Sequence, residues 1–280
     1  MLHIATVHWK HARWIDVQLD YLRRHVTVPY RVYAFLNDIP DNHRSKFHYT
    51  STQPINSHAV KLNFLADVIA AQATDASDLL LFLDGDAFPI GDVVSFACPK
   101  LEAFPLLAIQ RLENNGDIQP HPSFCLTTVS FWRSIRGDWR HGHTWKDAEG
   151  KATTDVGGNL LSILQGKSLP WYPMLRSNVT NLHPVWFGLY ENLVYHHGAG
   201  FRDPISRADQ NPIRQQLQQL SRWEWILLRA LERMPWRWFR HYRSSTYRQL
   251  ERETIERNRA LSQSVFTSLC LDRTFYKQFQ

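Results

Sequence analysis

The chain has 280 residues, 44% apolar and 13% aromatic, enough for one large domain or a domain with an appendage. Its 32 Lys and Arg against 26 Asp and Glu leave a formal charge of +6, which points to an anionic partner such as a nucleotide, a phosphate group or an acidic membrane. Cys98, Cys125 and Cys270 are too few and too scattered for a disulfide framework or a cysteine-based metal site, and no apolar run approaches the roughly 20 residues that span a bilayer.

The opening His3–Val7 reads as a strand, and the Lys10, His11 and Arg13 that follow lack the order of a signal peptide. A cytoplasmic protein, or one peripheral on the inner face of the membrane, is expected. Trp14, Val17, Leu19, Tyr21 and Leu22 mark a helix leading to a second strand over Tyr30–Leu36, a β-α-β opening. A turn cluster at 37–42 precedes a short strand expected over Lys46–Thr50. Ser57 is placed to cap the next helix, which carries Leu62, Leu65, Ala66, Ile69 and Ala70 at helical spacing. Its first turns hold His58-Ala59-Val60-Lys61-Leu62-Asn63, where Lys61 could meet a phosphate or a sugar hydroxyl.

The most informative stretch follows. Leu79-Leu80-Leu81-Phe82-Leu83-Asp84-Gly85-Asp86 is a fully apolar run ending in two carboxylates, the pattern of an interior strand of a parallel sheet. In open α/β sheets ligands bind beyond the carboxyl ends of such strands. Residues two apart on an extended chain point the same way, so Asp84 and Asp86 could face one hard cation, Mn2+ or Mg2+. Alternatively they are turn residues where a strand stops; the return to apolar character in Ala87-Phe88-Pro89-Ile90 suggests carboxylates embedded in structure.

Residues 100–200 are less regular, with strands expected at Leu106–Gln110, Phe124–Val129 and Leu193–His197 and a short helix over Gly158–Leu164. Trp132, Trp139, Trp145 and Trp171, with His121 and Arg111, are either an acceptor platform or core. The strand near 194 ends in His196-His197-Gly198-Ala199-Gly200-Phe201-Arg202. An imidazole can complete a cation shell begun by carboxylates, the glycines let backbone amides approach a diphosphate, and Arg202 can pair with its charge. Alternation lets only one histidine face the metal, His196 by preference, with His197 still open.

From Arg207 the composition shifts to Arg, Gln, Glu, Leu and Trp, indicating helices, with a break at Pro235. Residues 222–248 interleave aromatics with arginines. Such a helix either lies on an anionic membrane surface or packs its rings on the catalytic domain.

Asp84-Gly85-Asp86 after an apolar strand, the upstream Lys61-Leu62-Asn63 and the downstream His196-His197-Gly198-Ala199-Gly200 resemble the Asp-x-Asp glycosyltransferases of the GT-A fold, in particular glycogenin-like and bacterial polysaccharide members. The resemblance covers roughly residues 1–205. It implies an α/β fold, a single Rossmann-type GT-A-like domain with a mixed central sheet over 1–205, and leaves 206–280 as a basic, Trp-rich helical extension. It further implies a cation held by Asp84, Asp86 and His196 or His197 against the diphosphate of a nucleotide-sugar donor, a UDP-sugar favoured, with Thr6, Lys61, Asn63, Asp84, Gly198 and Arg202 on the donor side. The acceptor would be a glycan or glycolipid in surface polysaccharide synthesis, and no nucleic acid partner is expected. Inverting members place an acidic base at a helix start in the region of Asp155, which by local chemistry could equally be a helix cap; Glu113, Asp147 and Glu149 are alternatives for that role. The competing readings are an Asp-x-Asp phosphohydrolase, which carries Thr or Val where this chain has Phe88, a nucleotidyltransferase, and a membrane or nucleic-acid binding protein acting through its basic helices.

Overall fold

The computed structural model describes residues 1–147, 150–201, 203–218, 223, 226, 227, 230 and 245–280. Arg202, Glu149 and Pro235 lie outside the described residues, as does most of 222–248.

Strand β1 (Leu2–Trp9), buried over all but its last residue, leads into α1 (Arg13–His25), whose buried stripe is Trp14, Ile15, Val17, Gln18, Tyr21 and Leu22. Then come β2 (Tyr30–Asn37), a 3-10 turn at Asp41–Lys46, β3 (Tyr49–Ser51) and α2 (His58–Gln72), which Ser57 caps by accepting the Val60 N–H. Next are β4 (Leu79–Asp84), β5 (Ala87–Pro89), α3 (Val93–Leu101) and β6 (Leu106–Ile109), followed by β7 (His121–Thr128) and α4 (Val129–Ile135). The short pair β8 (Trp145–Lys146) and β9 (Ala152–Thr153) leads to α5 (Gly158–Gly166), then β10 (Tyr172–Met174), β11 (Gly188–Tyr190) and β12 (Val194–His196). Helices α6 (Arg207–Gln218) and α7 (Ser245–Leu271) follow.

Seven strands form one mixed α/β sheet in the order β10-β6-β7-β4-β1-β2-β3. β1 pairs in parallel with β2 and β4, while β7 runs antiparallel to both β4 and β6. β4 is therefore parallel on one side only, which corrects the expectation of a strand inside a parallel sheet. Its unbroken hydrophobicity comes from cover on both faces: Leu80 and Phe82 join a core with α2, α4 and α5, and Leu81 and Leu83 join a second with residues of α1 and α3.

The strand expected at Lys46–Thr50 starts three residues later, because the 3-10 turn takes up the preceding segment. β7 begins at His121 rather than Phe124, and its last residue, Thr128, caps α4 by accepting the Phe131 N–H. A second sheet, β11-β12-β5, is antiparallel and places Ala87 opposite His196.

The chain divides into two compact units, Met1–Phe201 with Thr274–Gln280, and Arg202–Arg273. In the first, the final turn docks by its aromatics: Phe279 is fully buried beside Phe187 and Tyr195, and its carbonyl accepts the Val179 N–H. In the second, Asn258 on α7 donates to the Pro204 carbonyl and to Asp209 on α6. No helix among the described residues is long and apolar enough to cross a membrane.

Candidate functional site

Two sheets meet at the end of β4, and their meeting assembles the site. β4 delivers Asp84, the chain turns through Gly85 and Asp86, and β5 leaves in the second sheet. There β12 pairs with β5 so that His196 faces Ala87, and the His197 N–H donates to the Asp86 carbonyl at 3.0 Å. This register carries His196 across more than a hundred residues of sequence to the aspartates. Its Nε2 lies 3.6 Å from Asp86 Oδ1 and 3.8 Å from Asp84 Oδ2, and ligand atoms of all three residues lie within 4.8 Å of one another.

The surrounding side chains hold these groups in place. His58, one residue past the Ser57 cap, puts Nε2 2.9 Å from Asp84 Oδ1. The Gly200 N–H donates to Asp86 Oδ2 at 3.0 Å, and Arg13 donates to the Gly200 carbonyl. Gln18, buried on α1, donates to the carbonyls of Asp84 at 2.7 Å and Ala87 at 2.8 Å, clamping both ends of the turn. Its own carbonyl oxygen accepts from the Thr6 hydroxyl and faces His8 Nε2, each at 3.2 Å. That contact makes Nε2 the protonated nitrogen of His8 and leaves Nδ1, buried and without a partner, as a bare acceptor. Burial pushes the His8 pKa down to about 4 against the opposing Gln18 contact, so the ring is neutral near pH 7.

The electrostatics fit a cation. Burial raises the Asp86 carboxyl above its ordinary range, and neighbouring Asp84 adds to the rise against His196. At Asp84 burial acts in the same direction but is overcome by His58 and, behind it, His121 and His196, which hold the carboxyl below its ordinary range. Two close carboxylates with an imidazole form a hard, oxygen-led donor set suited to Mn2+ or Mg2+. Asp86 is 4% exposed, so these are not solvated turn residues.

Other anticipated residues stand elsewhere. His197 is fully buried, its Nδ1 3.0 Å from the Tyr195 hydroxyl and its ring against Trp14 and Phe187, so the strand's alternation turns it into the core. Thr6 is equally buried and supports Gln18 from behind. Asn63 is taken up by the scaffold: it donates to Asp138 and accepts the Trp139 N–H. Lys61 is 4% exposed with its amine over the Phe35 ring, and burial lowers its pKa against the pull of Asp38. Gly198 takes φ +75 in the turn between His196 and Gly200.

Asp155 accepts from Arg111 at 3.0 Å and from the Val156 N–H at 2.8 Å, while Gly157, not Asp155, occupies the cap position of α5. Arg111 also donates to buried Asp117 and bears electrostatically on His121, whose ring lies 6.0 Å from that of His196. Glu113 instead accepts from the Tyr190 hydroxyl, and Asp147 from the Lys151 N–H. Trp132 and Trp139 pack on Phe82 in the core rather than forming an acceptor platform.

Two residues escaped the sequence reading, and each left a signal. Gln18 falls on the buried helical stripe of Trp14, Val17 and Tyr21, where a polar side chain must find partners. His58 opens the very helix that precedes the acidic strand, within reach of that strand's carboxyl end.

No family model matches the chain, and no curated protein matches it. Among solved structures, those to which it is similar over part of its length include the following three. TarS 1–349 of S. aureus shares 14% identity over 50% of this chain and 50% of that one, at a TM-score of 0.36. The apo glycosyltransferase GlyE of Streptococcus pneumoniae TIGR4 shares 18% identity over 48% and 35%, at 0.36. The mannosyltransferase PcManGT of Pyrobaculum calidifontis, solved with GDP-Man and Mn2+, shares 9% over 50% and 47%, at 0.36. The chain thus spans half or less of the length of each.

Proposed function

We propose that this protein transfers a sugar from a nucleotide-diphosphate donor, a UDP-sugar by preference, to a glycan or glycolipid acceptor, with Mn2+ or Mg2+ held by Asp84, Asp86 and His196. The observation that carries the reading is the convergence of those three side chains at the carboxyl end of β4, produced by the pairing of β12 with β5. A bound divalent cation would supply Lewis-acid stabilisation of the diphosphate as the glycosidic bond breaks.

The residues of the chain do the rest. Gly200 and His58 fix the carboxylates of Asp86 and Asp84, and Gln18 fixes the turn between them, so the donor set is organised in advance. Gly198 and Arg202 are assigned to the diphosphate, whereas Lys61, buried with its amine over the Phe35 ring, is not assigned to the donor. Asp155, 38% exposed and oriented by Arg111, is assigned as the base that takes the acceptor hydroxyl's proton in an inverting reaction.

A thermal-shift screen of UDP- and GDP-sugars with and without Mn2+ tests the proposal, since a ligand of the native state raises its melting point. The wild type is expected to respond to a donor only with the cation present, and Asp86→Asn to melt normally but not respond. Failure of every donor, or a wild-type response in Asp86→Asn, overturns the assignment. Release of orthophosphate from phosphate esters without donor turnover would identify the phosphohydrolase instead.

A further inference from the structure

His121 opens β7. Because β7 runs antiparallel to both β4 and β6, its first residue stands at the sheet edge where those strands end, and the register puts it opposite Ile109. The ring is 7% exposed and its centroid lies 6.0 Å from that of the candidate cation ligand His196. Both polar groups of Ser123 converge on Nδ1, the backbone N–H at 3.1 Å and the hydroxyl at 2.8 Å. A backbone N–H can only donate, so Nδ1 is an acceptor, the ring is neutral and the proton sits on Nε2. Among the described residues no group accepts from that Nε2–H, and it is not sealed in with the enclosed unpartnered atoms such as His8 Nδ1. A donor that is nine-tenths wrapped by protein, fixed in one tautomer and left open beside the cation seat is placed for an oxygen of a bound molecule.

We infer that His121 is a specificity residue of the donor site, giving its Nε2–H to a hydroxyl of the sugar that is transferred. The inference rests on the donor chemistry proposed above and names the part of the donor that this side chain reads. β1, α1 and β2 form a parallel β-α-β half, whose carboxyl edge is where nucleotides bind in open α/β sheets. A nucleotide sugar is linear, nucleoside then diphosphate then sugar, and the cation seat at the end of β4 takes the diphosphate in the middle. β4 has β1 on one side and β7 on the other. A donor that enters from the nucleotide half and crosses the seat therefore runs its sugar toward β7, where His121 stands. The chemistry agrees with the topology. Phosphate oxygens are best met by cationic donors, whereas a neutral imidazole N–H suits an uncharged hydroxyl, which it orients without adding charge.

The test is titration calorimetry of the full-length protein with Mn2+, comparing UDP with UDP-glucose, UDP-galactose and UDP-N-acetylglucosamine, and GDP with GDP-mannose. His121→Phe keeps a ring beside His196 and removes the N–H, while His121→Gln restores an N–H of similar reach. His121→Phe should bind the nucleoside diphosphate as the wild type does but its sugar nucleotide about tenfold more weakly, with His121→Gln recovering most of the loss. Among deoxy analogues of that sugar, one should bind the wild type about tenfold more weakly and be indifferent to His121→Phe, which identifies the hydroxyl. If the variants do not fold, the Nε2 resonance of His121 in the wild type with Mg2+ decides: it should move on adding the sugar nucleotide and stay on adding the nucleoside diphosphate. Undiminished sugar-nucleotide binding by His121→Phe, an unmoved resonance, or equal losses for both ligands, which would hand the residue to the diphosphate, overturns this inference and leaves the donor reading standing. A wild type that binds no nucleotide with either cation overturns both.

Discussion

A methyl group added at Gly200 reaches the cation seat without altering any ligand. A Cβ there would lie 2.7 Å from Asp86 Cβ and 2.8 Å from Asp86 Cγ, and closer still to Oδ2, all under the 3.0 Å that real Cβ contacts respect. Either the carboxylate gives by roughly half an ångström or the 198–201 loop lifts and the Gly200 N–H to Asp86 bond is lost. Metal sites hold their ligand distances to within about 0.2 Å, so both outcomes displace one donor by more than the shell tolerates. Gly200→Ala should therefore weaken Mn2+ binding by about 10–100-fold, the usual effect of disturbing a partner that orients a ligand, and cost about 1–3 kcal/mol in stability. The signal of free Mn2+ in electron paramagnetic resonance measures the first quantity and thermal or denaturant unfolding the second. Gly198→Ala is the control. Its φ of +75 makes any side chain there strained by about 1 kcal/mol, but the nearest atom to the new Cβ is on Trp186, not on a ligand. A folded Gly200→Ala protein with wild-type Mn2+ affinity would refute the reasoning, as would equal losses in the two variants.

Asn63→Ala should lower stability by about 1–3 kcal/mol, because it leaves Asp138 and the Trp139 N–H short of a partner, while the Mn2+ titration stays unchanged; a selective loss of donor binding would return Asn63 to the site. Asp92→Ala should cost about 1 kcal/mol by removing the cap of α3. Bonds from Ser95 hold the Asp92 carboxyl below its ordinary pKa, so its contribution is present above about pH 4 and lost as pH falls through the lowered value. Urea unfolding of both proteins across that range should show the gap closing in acid, and a gap that widened there would contradict the capping account.

The first half of the sheet was legible because each of its elements declares itself locally. β4 is apolar on both faces, β1 opens on an apolar run, α1 carries a regular buried stripe, and Ser57 caps α2 as its position suggests. What escaped depends on partners far away in sequence. β5 and β11 are three residues each and exist only through β12, and α4 follows β7 with no turn between them to announce it. The same distinction runs through the site. Asp84 and Asp86 could be read from one strand end, and the alternation of β12 separated His196 from His197. The partners of Asn63 and Asp155 could not be read, because Asp138 and Arg111 reach them from other loops, 75 and 44 residues away.

The choice between an ordinary turn and a built site at Asp84-Gly85-Asp86 rests on the residue between the acids. A turn of solvated aspartates needs Gly85 only for conformational ease, and another small residue would serve. Here a Cβ at position 85 would lie 2.5 Å from the Val7 carbonyl oxygen and 2.8 Å from His8 Nδ1, so the turn is pressed against the end of β1. Gln18 then ties the Asp84 and Ala87 carbonyls together beneath it, and the fully buried Tyr21-Phe88-Tyr195 stack secures β5 and β12 alongside. A chain that closes a hydrophobic interior around two carboxylates incurs a desolvation cost, which His58 and the histidines behind it outweigh at Asp84 but which the Gly200 N–H and His196 leave partly unmet at Asp86, whose carboxyl stays raised. A divalent cation facing His196 would offset the remainder.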